Sequence, residues 1–134
     1  MAAKYSRKKI LIVDDENLIR WSLCMTLQGE DYDVHLADSA EAAMDLARKL
    51  DFDLIITDYR LKNENGLTFA RRIREISPRT KVFMLTAYGT DELRERAREL
   101  GVDAFIDKPF DVSFLTREVN KHLHTSKQDS PIYP

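Results

Sequence analysis

Short apolar runs rich in β-branched residues alternate along the chain with longer segments in which apolar positions recur at helical spacing. Five such units are legible. The runs Lys9 to Val13, Asp33 to Ala37, Leu54 to Thr57, Val82 to Leu85 and Ala104 to Ile106 predict strands. Their near-continuous hydrophobicity is that of strands buried on both faces of a parallel sheet. The segments Asn17 to Gln28, Ser39 to Leu50, Gly66 to Ile76, Thr90 to Leu100 and Asp111 to His122 predict five flanking helices. Strand and helix in strict alternation give an α/β fold.

Local chemistry supports the boundaries. Asp38 stands three residues before Glu41 as in a capping box, Thr90 precedes the acidic Asp91 and Glu92, and Gly29 and Gly101 fall where helices should close. Ser77-Pro78 closes the third helix, because a residue before proline is pushed out of the helical region. Ile19, Leu23 and Leu27 share the apolar stripe of the first helix, and Arg20 and Trp21 fall off it, on a side that a partner could use. Residues 1–8 and 125–134 are polar and aperiodic, which predicts a flexible head and a flexible tail or linker start around one domain at 9–124.

At 134 residues the chain suits a single domain with one substantial core. A formal net charge of -2, with both signs dispersed, argues against direct nucleic-acid binding or attachment to an anionic membrane. A lone cysteine, Cys24, excludes an internal disulfide and reads as a packed thiol. With no stretch shaped like a membrane span or a signal peptide, a cytoplasmic setting is expected. Arg94, Arg96 and Arg98 alternate with Asp91, Glu92, Glu95 and Glu99, so they read as a solvated helix face supported by a Glu92–Arg96 pair. His35, His122 and His124 lack companions at metal-ligand spacing and read as surface imidazoles.

Ligands of an open parallel sheet bind beyond the carboxyl ends of its strands. At those positions the chain carries Asp14 and Asp15 after the first run, Asp58 after the third, Thr86 at the end of the fourth and Lys108 after the fifth. Singly, each has a plain reading as a helix cap, a loop lysine or a hydroxyl bonded to backbone. Together they are five polar groups on one rim. Three converging carboxylates repel unless a hard cation lies among them, and oxygen ligation with spare water positions is what Mg²⁺ prefers. Asp58, on a central strand, is then the nucleophile toward a phosphoryl donor, with Thr86 and Lys108 neutralising the transferred oxygens.

The segments Ile10-Leu-Ile-Val-Asp-Asp15, Asp53-Leu-Ile-Ile-Thr-Asp58, Val82-Phe-Met-Leu-Thr-Ala87 and Gly101-Val-Asp-Ala-Phe-Ile-Asp-Lys-Pro109 resemble the receiver domains of bacterial response regulators, from Ile10 to about Leu123. The resemblance implies a doubly wound, flavodoxin-like sheet in the order 2-1-3-4-5. It implies Asp58 as phosphoacceptor, Asp15 as a direct Mg²⁺ (or Mn²⁺) ligand, Asp14 acting through water and the Arg60 carbonyl as a further ligand. Thr86 and Phe105 become the switch pair, Lys108 the phosphate-binding lysine, and Pro109 follows a cis peptide. Arg60 and Tyr88 would flank the phosphoryl group. Such a domain catalyses only its own phosphorylation and dephosphorylation. It takes the group from a sensor histidine kinase or phosphotransfer protein, and is open to phosphorylation-dependent pairing with a second copy. Ile19-Arg-Trp21 and Asp58-Tyr-Arg-Leu61 look most like the nitrogen-regulator group, whose output is commonly transcription.

One departure concerns the loop after Asp58, where receivers usually carry a proline and this chain has Lys62-Asn-Glu-Asn-Gly66. The Asn65-Gly66 pair predicts a turn with positive φ there. Competing functions fit less well. A phosphatase of the haloacid dehalogenase type needs an acid two residues after the nucleophile, where Arg60 stands. A flavodoxin-like nucleotide binder needs a small-residue loop where Asp14, Asp15 and Glu16 would repel phosphate. A decayed docking module would not retain all five site residues.

Overall fold

The computed structural model describes residues 7–129, with side chains through 124. Most of the predicted head, and the tail from 130, lie outside these residues. The elements are β1 (Lys9–Val13), α1 (Asn17–Gly29), β2 (Asp33–Ala37), α2 (Ala40–Lys49), β3 (Leu54–Asp58), α3 (Gly66–Ile76), β4 (Lys81–Thr86), α4 (Asp91–Glu99), β5 (Ala104–Asp107) and α5 (Val112–Asp129). All strand pairs are parallel, in the order β2-β1-β3-β4-β5.

Alternation along each strand divides the core into two layers. Leu11 and Val13 of β1 join Ala43, Met44, Ile55, Phe69, Ile73 and Met84 on the side of α2, α3 and α4. Ile10 and Ile12 join Leu23, Leu27, Ile56, Phe83, Leu115 and Val119 on the side of α1 and α5. Burial on both faces holds for β1, β3 and β4, whereas the edge strands β2 and β5 are only partly covered. Because β3 runs on to Asp58 and β4 to Thr86, two of the polar residues are the last residues of buried strands.

Several boundaries differ from the sequence reading for identifiable reasons. Ser39, not Asp38, caps α2: its backbone is extended and its hydroxyl accepts the Ala42 N–H at 3.1 Å, leaving Asp38 exposed. Thr90 caps α4 as expected, accepting the Leu93 N–H at 3.1 Å. Gly29 lies inside the last turn of α1, and the positive φ that reverses the chain belongs to Asp31, at 70°. Gly101 does take positive φ, 83°. α5 continues past His122 to Asp129, into the stretch expected to be tail.

The largest difference is the loop after β3. Asn65 is extended, with φ -96° and ψ 166°, and caps α3 by accepting the Thr68 N–H at 2.9 Å. Gly66 is already helical and is needed for close approach. A Cβ there would lie 2.8 Å from the Asp58 carbonyl oxygen and 2.9 Å from the Tyr59 Cα. No proline is required to hold this loop. The Gly66 N–H donates to the Tyr59 carbonyl at 2.6 Å, the Leu61 N–H to the Glu64 carbonyl at 3.2 Å, and Arg72 pairs with Glu64 at 2.7 Å.

Two surface readings also change. The Glu92–Arg96 pair is not formed among the described residues. Arg94 instead pairs with Asp107 and lies 5.0 Å above the Phe105 ring, so one arginine of the α4 run binds its own β5. His122 packs edge-on against Phe83 and His35 against Phe52, and both rings are partly buried rather than free on the surface. Cys24 packs against the α1–α5 layer, and burial pushes its thiol pKa up, as expected for a packed thiol.

Candidate functional site

The carboxyl ends of β1, β3, β4 and β5 open into a cleft of about 490 Å³ lined by Asp15, Glu16, Asp58, Arg60, Leu61, Ala87, Tyr88 and Lys108. Asp58 is 7% exposed. Its Oδ2 accepts from Lys108 Nζ at 3.0 Å, and its Oδ1 lies 3.4 Å from the Arg60 N–H, a long contact. The Lys108 N–H donates to the Thr86 carbonyl at 2.7 Å, which fixes its backbone at the end of β4, and its peptide to Pro109 is cis, as the resemblance implies.

Asp14 is the most enclosed charge, at 1% exposure. Its Oδ1 accepts the Glu16 N–H at 2.8 Å, while its Oδ2 has no hydrogen-bond partner, with Lys108 Nζ 3.8 Å away. Burial drives the Asp14 pKa up to about 6, against the lowering effects of the Glu16 N–H and Lys108, and the charges of Asp58 and Glu16 add to the rise. Burial alone would lower the Lys108 pKa. The hydrogen bond and charge of Asp58, with the charges of Asp14 and Glu16, outweigh it and hold the pKa above its ordinary value.

Asp14, Glu16 and Asp58 form a carboxylate trio, with ligand oxygens all within 4.8 Å of one another. Asp15, expected as the direct ligand, is exposed and outside this trio, although it lines the same cleft. Glu16 was missed as a site residue, yet the signal was in the unbroken acidic run that it completes. Its carboxylate stands 3.6 Å from Lys108 Nζ. Arg20, read only as lying off the apolar stripe, donates to the Asp14 carbonyl at 2.6 Å and so ties the start of α1 to the β1 end.

The trio fits a divalent cation by its chemistry: hard oxygen donors, excess negative charge and a buried carboxylate oxygen left without a partner. Thr86 is 2% exposed, and its hydroxyl accepts the Tyr88 N–H at 3.1 Å. The Arg60 guanidinium lies 5.4 Å from the Tyr88 ring, so the two predicted flanking residues meet across the mouth. Phe105 is partly buried against the α2–α4 layer beneath Arg94.

This sheet order and this strand-end constellation define a receiver, and the chain belongs to the response regulator receiver domain family, whose model matches residues 10–120. The chain is 39% identical over 129 residues to response regulator protein PilR of Pseudomonas aeruginosa, covering 96% of this chain and 29% of that one. It is 32% identical over 116 residues to sporulation initiation phosphotransferase F of Bacillus subtilis, covering 87% of this chain and 94% of that one. A solved receiver domain protein of Methanospirillum hungatei matches with a TM-score of 0.87 at 28% identity, over 93% of this chain and all of that one. The PilR match fits the resemblance to the nitrogen-regulator group, and the chain spans under a third of PilR itself. Among the described residues no helix is long and apolar enough to cross a membrane.

Proposed function

We propose that the chain is a Mg²⁺-dependent cytoplasmic signalling switch in which Asp58 accepts a phosphoryl group from a sensor histidine kinase or phosphotransfer protein. The observation that carries this reading is the 3.0 Å bond between Asp58 and Lys108 beside the unpartnered Asp14 Oδ2. Mg²⁺, or Mn²⁺ in its place, would be held by Asp15 and Asp58, by Asp14 through water and by the Arg60 carbonyl, supplying charge neutralisation for the phosphoryl oxygens. Asp58 attacks phosphorus, and the bond to the donor nitrogen or oxygen breaks as the new bond forms. Lys108 keeps an ammonium beside the transferred oxygens. The domain acts on no separate substrate and catalyses only its own phosphorylation and dephosphorylation. Asp58→Asn should abolish acceptance from a phosphohistidine donor, and undiminished labelling of that variant would overturn the assignment.

The output step runs through Thr86. The Thr86 oxygen accepts the Tyr88 N–H, which leaves its own O–H to donate to a phosphoryl oxygen, and a bond to a charged oxygen contributes about 1.5 to 3 kcal/mol. Such an increment shifts a two-state balance roughly tenfold to a hundredfold. Movement of Thr86 opens space for Phe105 and rearranges the α4-β5-α5 face. That face would then control an output, transcription, through a partner or a second copy of the chain.

A phosphodonor must reach Asp58, so its docking surface has to border the cleft. An apolar hollow of about 500 Å³, lined in part by Leu18, Ile19, Leu23, Pro109 and Phe110, adjoins it at Lys108. Leu18 in its lining is 75% exposed, and Trp21, three residues further along α1, is 61% exposed. Trp21→Ala should slow transfer from a phosphohistidine protein about tenfold, the scale of a modest interface anchor, and leave labelling by a small acyl phosphate unchanged. Equal slowing with both donors would place the defect in the site instead.

Persistence of the aspartyl phosphate follows from the Arg60–Tyr88 pair. In-line water must approach over these side chains, and neither is a competent base near neutral pH. Replacing Arg60 with Asn and Tyr88 with Glu should shorten the half-life severalfold in a dephosphorylation assay at constant Mg²⁺. An unchanged or longer half-life would discard the shielding role.

A further inference from the structure

Glu16 is the carboxylate of the cleft to which the strand-end logic assigns no part. It is the N-cap residue of α1, a position suited to the short side chains of Ser, Thr, Asp and Asn, and its longer side chain makes no bond to the helix N–H groups. Its backbone N–H is committed to Asp14 Oδ1, and its carboxylate turns into the cleft. There its oxygen lies within 4.8 Å of oxygens of both Asp14 and Asp58, closer company than Asp15 keeps. An independent observation points to a cation at the same spot: the Asp14 side chain is 99% buried and its Oδ2 faces the trio without a hydrogen-bond partner.

We propose that Glu16 is a further determinant of divalent-metal affinity, an additional carboxylate acting on the ion that Asp14, Asp15 and Asp58 would hold. This rests on the receiver reading of the site. The reason is charge count, since the affinity of an oxygen-ligand site for a hard cation is tuned by the number of anionic ligands and by their rigidity. Asp14 is rigid but buried, and Asp58 is shared with Lys108. Glu16 is exposed, so it brings a carboxylate to the mouth without a burial cost of its own. Lys108 Nζ, 3.6 Å from Glu16, already samples the attraction of this trio for positive charge.

The test is calorimetric titration of the folded chain with Mg²⁺ and with Mn²⁺, which reads binding without any phosphoryl chemistry. Glu16→Gln should weaken both ions roughly tenfold, the scale typical of losing a supporting group at a metal site. Because Glu16 also touches Lys108, the same substitution is made in a Lys108→Met background, where a similar loss is expected. Unchanged affinity in Glu16→Gln would overturn the proposal, and so would an effect that disappears once Lys108 is gone. Failure of the unaltered chain to bind either ion would overturn the receiver reading of the site itself, an outcome distinct from equal affinities.

Discussion

Replacing Asp14 with asparagine is expected to raise the stability of the metal-free domain at neutral pH by about 2 to 3 kcal/mol, the equivalent of a carboxyl pKa lifted from 3.8 to about 6. The sign follows from proton counting. Between those two values the folded chain holds a proton on Asp14 that the unfolded chain has released, so stability falls as pH rises through the interval. Above about pH 6 the folded domain carries a buried charge whose Oδ2 has no hydrogen bond. Asparagine retains an oxygen for the Glu16 N–H and removes the charge. The gain should therefore be full near pH 7.5 and fade toward pH 4, measured by urea unfolding in chelator. The same variant should bind Mg²⁺ at least tenfold more weakly. A loss of stability at neutral pH, or an equal gain at both pH values, would show that burial of the Asp14 charge does not dominate over its contacts with Lys108 and the Glu16 N–H. The expectation makes the site a place where stability is given up for function.

Gly66→Ala is the second change with a large expected effect, and it acts through shape. The added methyl would stand 2.8 Å from the Asp58 carbonyl oxygen and 2.9 Å from the Tyr59 Cα, both backbone atoms that cannot swing aside. Overpacking of this kind costs about 1 to 3 kcal/mol. Helix propensity would favour alanine by about 1 kcal/mol, so the sign of the measured change separates close approach from propensity. A lower urea midpoint is expected, together with slower phosphorylation, because the displaced backbone carries Asp58 and Arg60. A more stable variant would contradict the packing account of this loop.

These two residues also mark how far sequence reasoning reaches. The five strands and the helices between them are legible because period-2 burial and 3.6-residue spacing persist over whole segments, and Asp14, Asp58, Thr86 and Lys108 are legible because a parallel sheet exposes ligands at strand ends. What escaped was set by tertiary contact. Asn-Gly reads as a positive-φ turn by local preference, but the backbone of β3 passes so near Gly66 that absence of a side chain, not dihedral freedom, is what the position demands. Asp38 and Ser39 are both good caps, and only the chain direction entering α2 selects the serine. Arg94 belongs to an alternating charge pattern that looks solvated. Its pairing with Asp107 and Phe105 arises because β5 lies alongside α4. Glu16 was hidden by its neighbours, since Asp14 and Asp15 already supplied the expected acidic pair.

The most direct measurement of the central claim is peptide-mapped mass spectrometry of the chain after incubation with a small acyl phosphate, with Mg²⁺ and with chelator. A single added phosphoryl group is expected, on the peptide that contains Asp58, formed only when the divalent ion is present. Labelling that persists in chelator, or that maps to another residue while Asp58 remains unmodified, would contradict it.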